Sequence, residues 1–233
     1  MKIIGIDSSG LVASVAVYED GKIIAEYSTN YKKTHSQTLL PMLDEIKNEI
    51  GLDLSQVDAI AVASGPGSYT GLRIGAASAK GMAYSLGKPI IAVPTLEGLA
   101  FNMWGTSDIV CPLMDARRQQ VYTGLFEFNP ELTCIYEQRA VEISEVIKEV
   151  NNLGRKVIFL GDGAIAYEEL LKTEVKVPFV FAPAHRNFQS AASIVTLGAM
   201  YYEQGKAVKS EDFEPVYLRK SQAENEGPQD FRV

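Results

Sequence analysis

Short clusters along this chain carry the carboxylates, hydroxyls and glycines that phosphate chemistry would need. Asp7-Ser8-Ser9 ends the apolar run 3–6. A carboxylate at a strand tip, followed by a hydroxyl-bearing turn, suits a phosphate or a hydrated Mg²⁺. The same residues equally form a hairpin turn that satisfies its own backbone. The run Ala63-Ser64-Gly65-Pro66-Gly67-Ser68-Tyr69-Thr70-Gly71-Leu72-Arg73-Ile74-Gly75 follows a continuous apolar stretch and opens a segment rich in small residues. A strand that ends in glycines and turns into a helix points free N–H groups at one spot, which suits an anion or a closely approaching backbone. Gly65 and Gly67 permit positive φ and put no Cβ in the way. A Walker ending, Gly-Lys-Ser/Thr, is missing. Asp115 mirrors Asp7 in the second half, but its turn reads Ala-Arg-Arg-Gln. Arg117 and Arg118 pair with an anion there or tie the surface together, and surface arginines more often do the second. Gly161-Asp162-Gly163-Ala164 offers backbone on which an adenosine could rest, or a plain tight turn.

Hydrolytic and metal chemistry finds little support. The chain has two histidines, His35 and His185, without the spacing of a metal-binding helix pair. No Gly-x-Ser-x-Gly elbow occurs, since Ser64 is followed by Gly-Pro-Gly. Cys111 and Cys134 are isolated and read as reduced core thiols rather than a disulfide or a metal pair. The expectation is a chain with no catalytic set and no metal, holding at most a vestigial nucleotide or phosphate site made of Asp7, Ser8, Gly65, Gly67, Asp115, Gly161 and Gly163.

The elements that would carry these clusters repeat. Strands are predicted over 3–7, 12–18 and 22–28, joined by the turns Ser8-Ser9-Gly10 and Glu19-Asp20-Gly21. A helix near 36–50 follows, with Leu39, Leu40, Leu43, Ile46 and Ile50 at helical spacing and Gly51 as its cap. Pro41 means that this helix starts late or bends. A buried strand at 57–62, a helix over 71–86 stopped by Gly87 and Pro89, a strand at 89–93 and a short helix at 95–104 complete the half. The second half echoes the first: strands at 109–114, 120–128 and 134–140, a helix at 144–152, a strand at 156–160, and helices at 165–172 and 190–204. A duplicated hairpin-plus-βα unit predicts an α/β fold of two related lobes with a cleft between them. The expected lobes are 1–104 and 105–220, with the last helix packing back toward the first lobe, and a loose polar tail at 221–233.

Composition sets outer bounds. The 233 residues are 46% hydrophobic, enough for two cored lobes, and no apolar run reaches the roughly 18 residues of a membrane helix. The acidic residue inside the first apolar run argues against a signal peptide and for a cytoplasmic protein. A net charge of −7 without a basic run implies weak nucleic-acid binding by the chain alone.

The chain resembles the bacterial TsaB (YeaZ) proteins, which take part in making threonylcarbamoyladenosine in tRNA. The likeness covers nearly the whole chain. It rests on Ile4-Gly5-Ile6-Asp7-Ser8-Ser9, His35-Ser36-Gln37-Thr38-Leu39-Leu40-Pro41, the Gly65–Gly75 block, Met114-Asp115-Ala116-Arg117-Arg118 and Pro215-Val216-Tyr217-Leu218-Arg219. The Gly65–Gly75 block is the most specific of these. The resemblance implies an actin/hexokinase/Hsp70-like two-lobed fold. It also implies that catalysis belongs to a paralogue, TsaD, which carries metal-binding histidines that this chain lacks. TsaB-like chains pair with TsaD through their first two helices and form homodimers through the same face when TsaD is absent; an ATPase, TsaE, joins the complex, and tRNA is engaged through it. The resemblance therefore implies a non-catalytic scaffold or activating subunit in threonylcarbamoyl transfer. The expected partner face is Leu39, Leu40, Leu43, Ile46, Gly71, Gly75, Ala76, Ala79 and Met82, so that Leu43→Glu with Ala79→Glu would break the complex and leave the fold intact. The competing readings are a small-molecule kinase or ATPase of the same fold and, behind it, a metallopeptidase.

Overall fold

The computed structural model describes residues 1–31 and 38–219. The first sheet begins with β1 (Lys2–Asp7), whose run of Ile residues is buried on both faces. It pairs antiparallel with β2 (Ala13–Glu19), Ile4 opposite Val17. An Asp20-Gly21 turn, with φ of 47° and 83°, leads into β3 (Lys22–Thr29). Positive φ at both positions matches the strand twist of a tight hairpin. α1 (Leu39–Ile50) crosses over to β4 (Ala59–Ala63), which runs parallel to β1, and α2 (Tyr69–Leu86) crosses to β5 (Ile90–Val93). The order is β3-β2-β1-β4-β5.

The second sheet repeats this plan. β6 (Ile109–Asp115) pairs antiparallel with β7 (Gln120–Phe128), which pairs with β8 (Leu132–Glu142). α4 (Ile143–Leu153) crosses to β9 (Val157–Leu160), and α5 (Asp162–Ala166) with α6 (Glu168–Glu174) crosses to β10 (Phe179–Phe181). Read from its hairpin end the order is β8-β7-β6-β9-β10, the same topology as the first sheet. The short β10 is invisible to sequence patterning. Its three residues, held between Pro178 and Pro183, are too few to show an alternating pattern, yet it completes the duplication by pairing parallel to β9.

Two helices exchange places between the halves. α3 (Thr95–Phe101) follows the first sheet, but its Leu96 and Leu99 pack with Val110, Met114, Phe126 and Leu160 of the second. α7 (Ala191–Glu203) follows the second sheet and packs Ala191, Ile194 and Val195 on Ile3, Ala61, Ile91 and Val93 of the first. By packing, α3 belongs with the second lobe, so a division at residue 104 cuts a helix from its own core. The two helices touch each other: a Cβ on Gly98 would lie 2.4 Å from Ile194 Cδ1, and Ser193 Oγ donates to Asn102 Oδ1 at 2.6 Å.

Pro41 stands in the first turn of α1, because the helix starts late, at Leu39. There a missing N–H costs nothing. Gly51 and Gly87 cap α1 and α2 in the left-handed region, at φ of 60° and 64°. The positions Ser36 and His35 and the segment 221–233 lie outside the described residues.

Candidate functional site

The ends of β1 and β4 meet at one place, and the sequence's glycine-rich run is folded around it. The Asp7 side chain is buried, and its Oδ1 accepts the Ser9 N–H at 2.8 Å and the Ser9 hydroxyl at 2.6 Å. Ser8 Oγ donates to the Gly71 carbonyl at 2.8 Å. The Ser68 N–H donates to the Ser9 carbonyl at 2.7 Å. The first three glycines of the run face this protein's own main chain and the fourth a buried serine side chain. A Cβ would lie 2.2 Å from the Val216 carbonyl oxygen at Gly65, 2.3 Å from that of Ser9 at Gly67, and 2.1 Å from that of Ser8 at Gly71. At Gly75 it would lie 2.6 Å from Ser8 Oγ. Gly65 adds φ of 114°, a conformation L side chains rarely adopt. These glycines therefore let two turns of the chain pack closely, and the space they vacate is filled by protein.

Four further segments close the region, and sequence reasoning singled out none of them for this role. Gln189 is buried with its amide against Gly10, where a Cβ would lie 2.5 Å from Nε2. Thr95 Oγ1 accepts the Gly65 N–H at 3.1 Å, and Gln138 Nε2 from β8 donates to the Gly65 carbonyl at 3.2 Å. The segment 208–219 forms a strap. Val208 makes a two-way backbone bridge with Ile90, Phe213 is buried in the first core, and the Val216 N–H donates to the Ser64 carbonyl at 2.7 Å. Lys80 Nζ holds the Phe213 carbonyl at 2.8 Å, and Arg219 Nη1 reaches the Ala116 carbonyl in the second lobe at 2.8 Å. Lone Gln and Thr residues carry no periodic or motif signal, so only the fold brings them together.

The second-lobe counterparts behave alike. Gly161, at φ of 100°, would put a Cβ 2.1 Å from the Leu113 carbonyl oxygen, and a Cβ on Gly163 would also press on Leu113. Both glycines let α5 dock on β6. The Gly161 N–H is taken by Asn187. Asp115 is exposed, and its Oδ1 accepts the Arg117 N–H at 2.8 Å. Burial pushes the neighbouring Asp162 carboxyl above its ordinary range. The phosphate-site residues thus divide between the two lobes, Asp7, Ser8, Gly65 and Gly67 on one side and Asp115, Gly161 and Gly163 on the other. Among the described residues no three His, Cys, Asp or Glu side chains group as metal ligands.

The expected partner face needs correction. Leu39, Leu43, Ile46, Ala76 and Ala79 are buried in the first core against β2 and β4, and Gly71 and Gly75 are buried against the turn after β1. Met82 is half-buried on the same core. The leucine stripe is the inner face of α1, because one apolar stripe on a helix beside a sheet is claimed by that sheet. Leu43→Glu with Ala79→Glu would therefore strike the fold itself. Leu40 does lie outside, 53% exposed. The outer face of α2 is a different stripe: Arg73, Ala77, Gly81 and Tyr84 fall about one turn apart and are exposed, Tyr84 at 83%.

The family described as "TsaD: tRNA N6-adenosine threonylcarbamoyltransferase" matches residues 22–226. The tRNA threonylcarbamoyladenosine biosynthesis protein TsaB of Bacillus subtilis is 32% identical, over 96% of both chains. The chain belongs to the TsaB family. The solved YeaZ of Pseudomonas aeruginosa superposes with a TM-score of 0.79 at 27% identity, covering 93% of this chain and 99% of that one. A tRNA N6-adenosine threonylcarbamoyltransferase from Syntrophobacter fumaroxidans is 31% identical over 58% of this chain and 45% of its own. The architecture is that of the YeaZ structures, with two five-stranded sheets of the same strand order covered by helices. The family's place is in tRNA threonylcarbamoyladenosine biosynthesis. Among the described residues no helix is long and apolar enough to cross a membrane.

Proposed function

We propose that the chain is a non-catalytic subunit that holds a TsaD-type transferase in its competent conformation while threonylcarbamoyl passes to adenosine in tRNA. The observation that carries this is the filled glycine site. Carbonyls of Ser8, Ser9 and Val216 stand 2.1–2.3 Å from the Cβ positions of Gly71, Gly67 and Gly65, so packing within the chain accounts for these glycines without a nucleotide. The kinase or ATPase reading has no comparable support. Asp7 is engaged by Ser9, and Gln189 lies against the Gly10 turn. The subunit works without a nucleotide or metal of its own, in the cytoplasm, where a TsaE-type ATPase joins it.

The contact runs through the outward stripe of α2 with Leu40. Small residues at Ala77 and Gly81 let another helix approach closely, and Tyr84 supplies a large apolar anchor. The same face meets a second copy of the chain when the transferase is absent, giving a two-fold dimer. Coupling comes from preferential binding to one state of the partner. Ala77→Glu with Tyr84→Glu leaves the circular-dichroism spectrum and melting midpoint unchanged. It removes co-elution with the transferase and lowers threonylcarbamoylation of tRNA to the level seen without this subunit. A variant that still co-elutes and still supports modification sinks the proposal.

A further inference from the structure

The strap that closes the glycine site carries aromatic and guanidinium groups on its outer side. Arg73 Cζ sits 4.2 Å above the ring of Tyr69, and that ring lies 5.1 Å from the ring of Tyr217, tilted by 43°. Two residues further on, Arg219 bonds to the Ala116 carbonyl, which brings it to the turn carrying Arg117 and Arg118. Arg73, Tyr217, Arg117 and Arg118 are exposed. A ridge therefore follows the strap from α2 to the β6–β7 turn, with Arg73 and the paired rings of Tyr69 and Tyr217 at its first-lobe end and Arg219, Arg117 and Arg118 at its second-lobe end.

Two observations set this ridge apart from ordinary solvated surface. None of the ion pairs among the described residues involves Arg117, Arg118 or Arg219. The nearest acid in sequence, Asp115, is turned to its own loop, accepting the Arg117 N–H and, at 3.5 Å, the Tyr167 hydroxyl. The turn is also strained. Arg117, Arg118 and Gln119 hold φ of 62°, 54° and 60°, three successive left-handed residues without a glycine among them. Such backbone is costly, and is kept where it aims side chains for use.

Guanidinium groups spaced along an aromatic platform match one chemistry above others. A single strand of nucleic acid offers a phosphate at each step and a base face between, and stacking tolerates any base. A protein partner would need carboxylates placed to match each arginine, whereas a nucleic-acid strand brings a phosphate at every step by its own repeat. We propose that this ridge is a docking site for an unpaired stretch of RNA, with phosphates on Arg117, Arg118 and Arg219 and a base against the Tyr69–Tyr217 pair. The inference deepens the reading above, in which the chain serves a tRNA-modifying complex, and gives this subunit its own grip on the substrate.

The test measures fluorescence anisotropy of labelled unmodified tRNA with the full chain alone, across a salt series from low to moderate ionic strength. Arg117→Gln with Arg118→Gln weakens binding about tenfold at low salt and flattens the slope of log affinity against log salt by about 1.4, two phosphate contacts at roughly 0.7 each. Tyr217→Ala weakens binding about tenfold with the slope unchanged, and Tyr217→Phe restores it, as stacking requires. Arg155→Gln with Lys156→Gln, an equal loss of charge beside the start of β6 and so at the end of that strand away from the β6–β7 turn, leaves affinity unchanged. The proposal is overturned if the unaltered chain shows no salt-dependent RNA binding, if the ridge variants bind as it does, or if the control loses as much. It is also overturned if the arginine pair affects only association with the transferase, which marks a protein contact. Failure of the scaffold reading shows separately, as modification that proceeds equally with and without this subunit.

Discussion

Cys111 sits in the middle of β6 with its thiol 3.6 Å from the Thr123 hydroxyl and no exposure to solvent. Burial pushes the thiol up from an ordinary value of 9.0 to about 12. Between these values the unfolded chain releases this proton and the folded chain keeps it. The folded state then binds more protons, so stability falls as pH rises through this window. Comparing urea unfolding at pH 8 and pH 10, Cys111→Ala should lose about 1.4 kcal/mol less than the unaltered chain, whatever its offset from the cavity it leaves. An equal loss in both would mean that the thiol ionises freely in the folded protein. The same burial explains why this cysteine is a core residue, as its apolar sequence setting implies. Cys134, which its isolation in the sequence also marks as a core thiol, is instead exposed on β8. Its strand is an edge, and nothing in the local pattern says which edge a strand will occupy.

Helix α2 shows at the scale of an element how position decides what a glycine does. Gly71 and Gly81 lie in one helix with ordinary helical backbone. A Cβ at Gly71 would lie 2.1 Å from the Ser8 carbonyl oxygen, while at Gly81 nothing stands within 4 Å. Gly71→Ala should destabilise by about 3 kcal/mol, because main chain must move to admit it. Gly81→Ala should stabilise by about 0.5–1 kcal/mol through helix propensity and a less flexible unfolded chain. Both are read from chemical denaturation midpoints, and a shift of the same sign in both would contradict the packing described. The small-residue character of α2 was plain in the sequence. That its N-terminal glycines serve contact within the chain, and its outer Ala77 and Gly81 do not, was not. A 3.6-residue repeat shows that a helix has faces without saying what covers each one.

For the molecule as a whole, the strap joins what the two sheets leave apart. Phe213 lies in the first core beside Ala83 and Ile90, Val216 closes the Gly65 turn, and Arg219 ends on the second lobe. Phe213→Ala should cost about 3–5 kcal/mol by cavity formation. Because the strap also seats Tyr217 and Arg219, the variant should show faster amide exchange at residues 64–68 and 116–119 together. Exchange that rises at one of these places alone would show that the strap does not couple them. The exchanged helices act at the same scale. α3 and α7 each pack on the other half's sheet, and the Tyr201 hydroxyl donates to Glu97 between them. The duplicated halves are thereby interlocked rather than strung in series.

Taken alone, the sequence determined the order and type of most elements, the duplicated plan and the family. These follow from hydrophobic period, turn residues and motif spacing, which are local and survive in a linear string. Tertiary structure decided which stripe of α1 and α2 faces outward, which lobe owns α3, that β10 exists, and that the glycine turns pack against this protein's own main chain. Each of these depends on which surfaces meet across long separations in the chain. Contacts between Gly65 and Val216, or Tyr69 and Tyr217, bring together residues about 150 positions apart, and no local pattern encodes such a pairing.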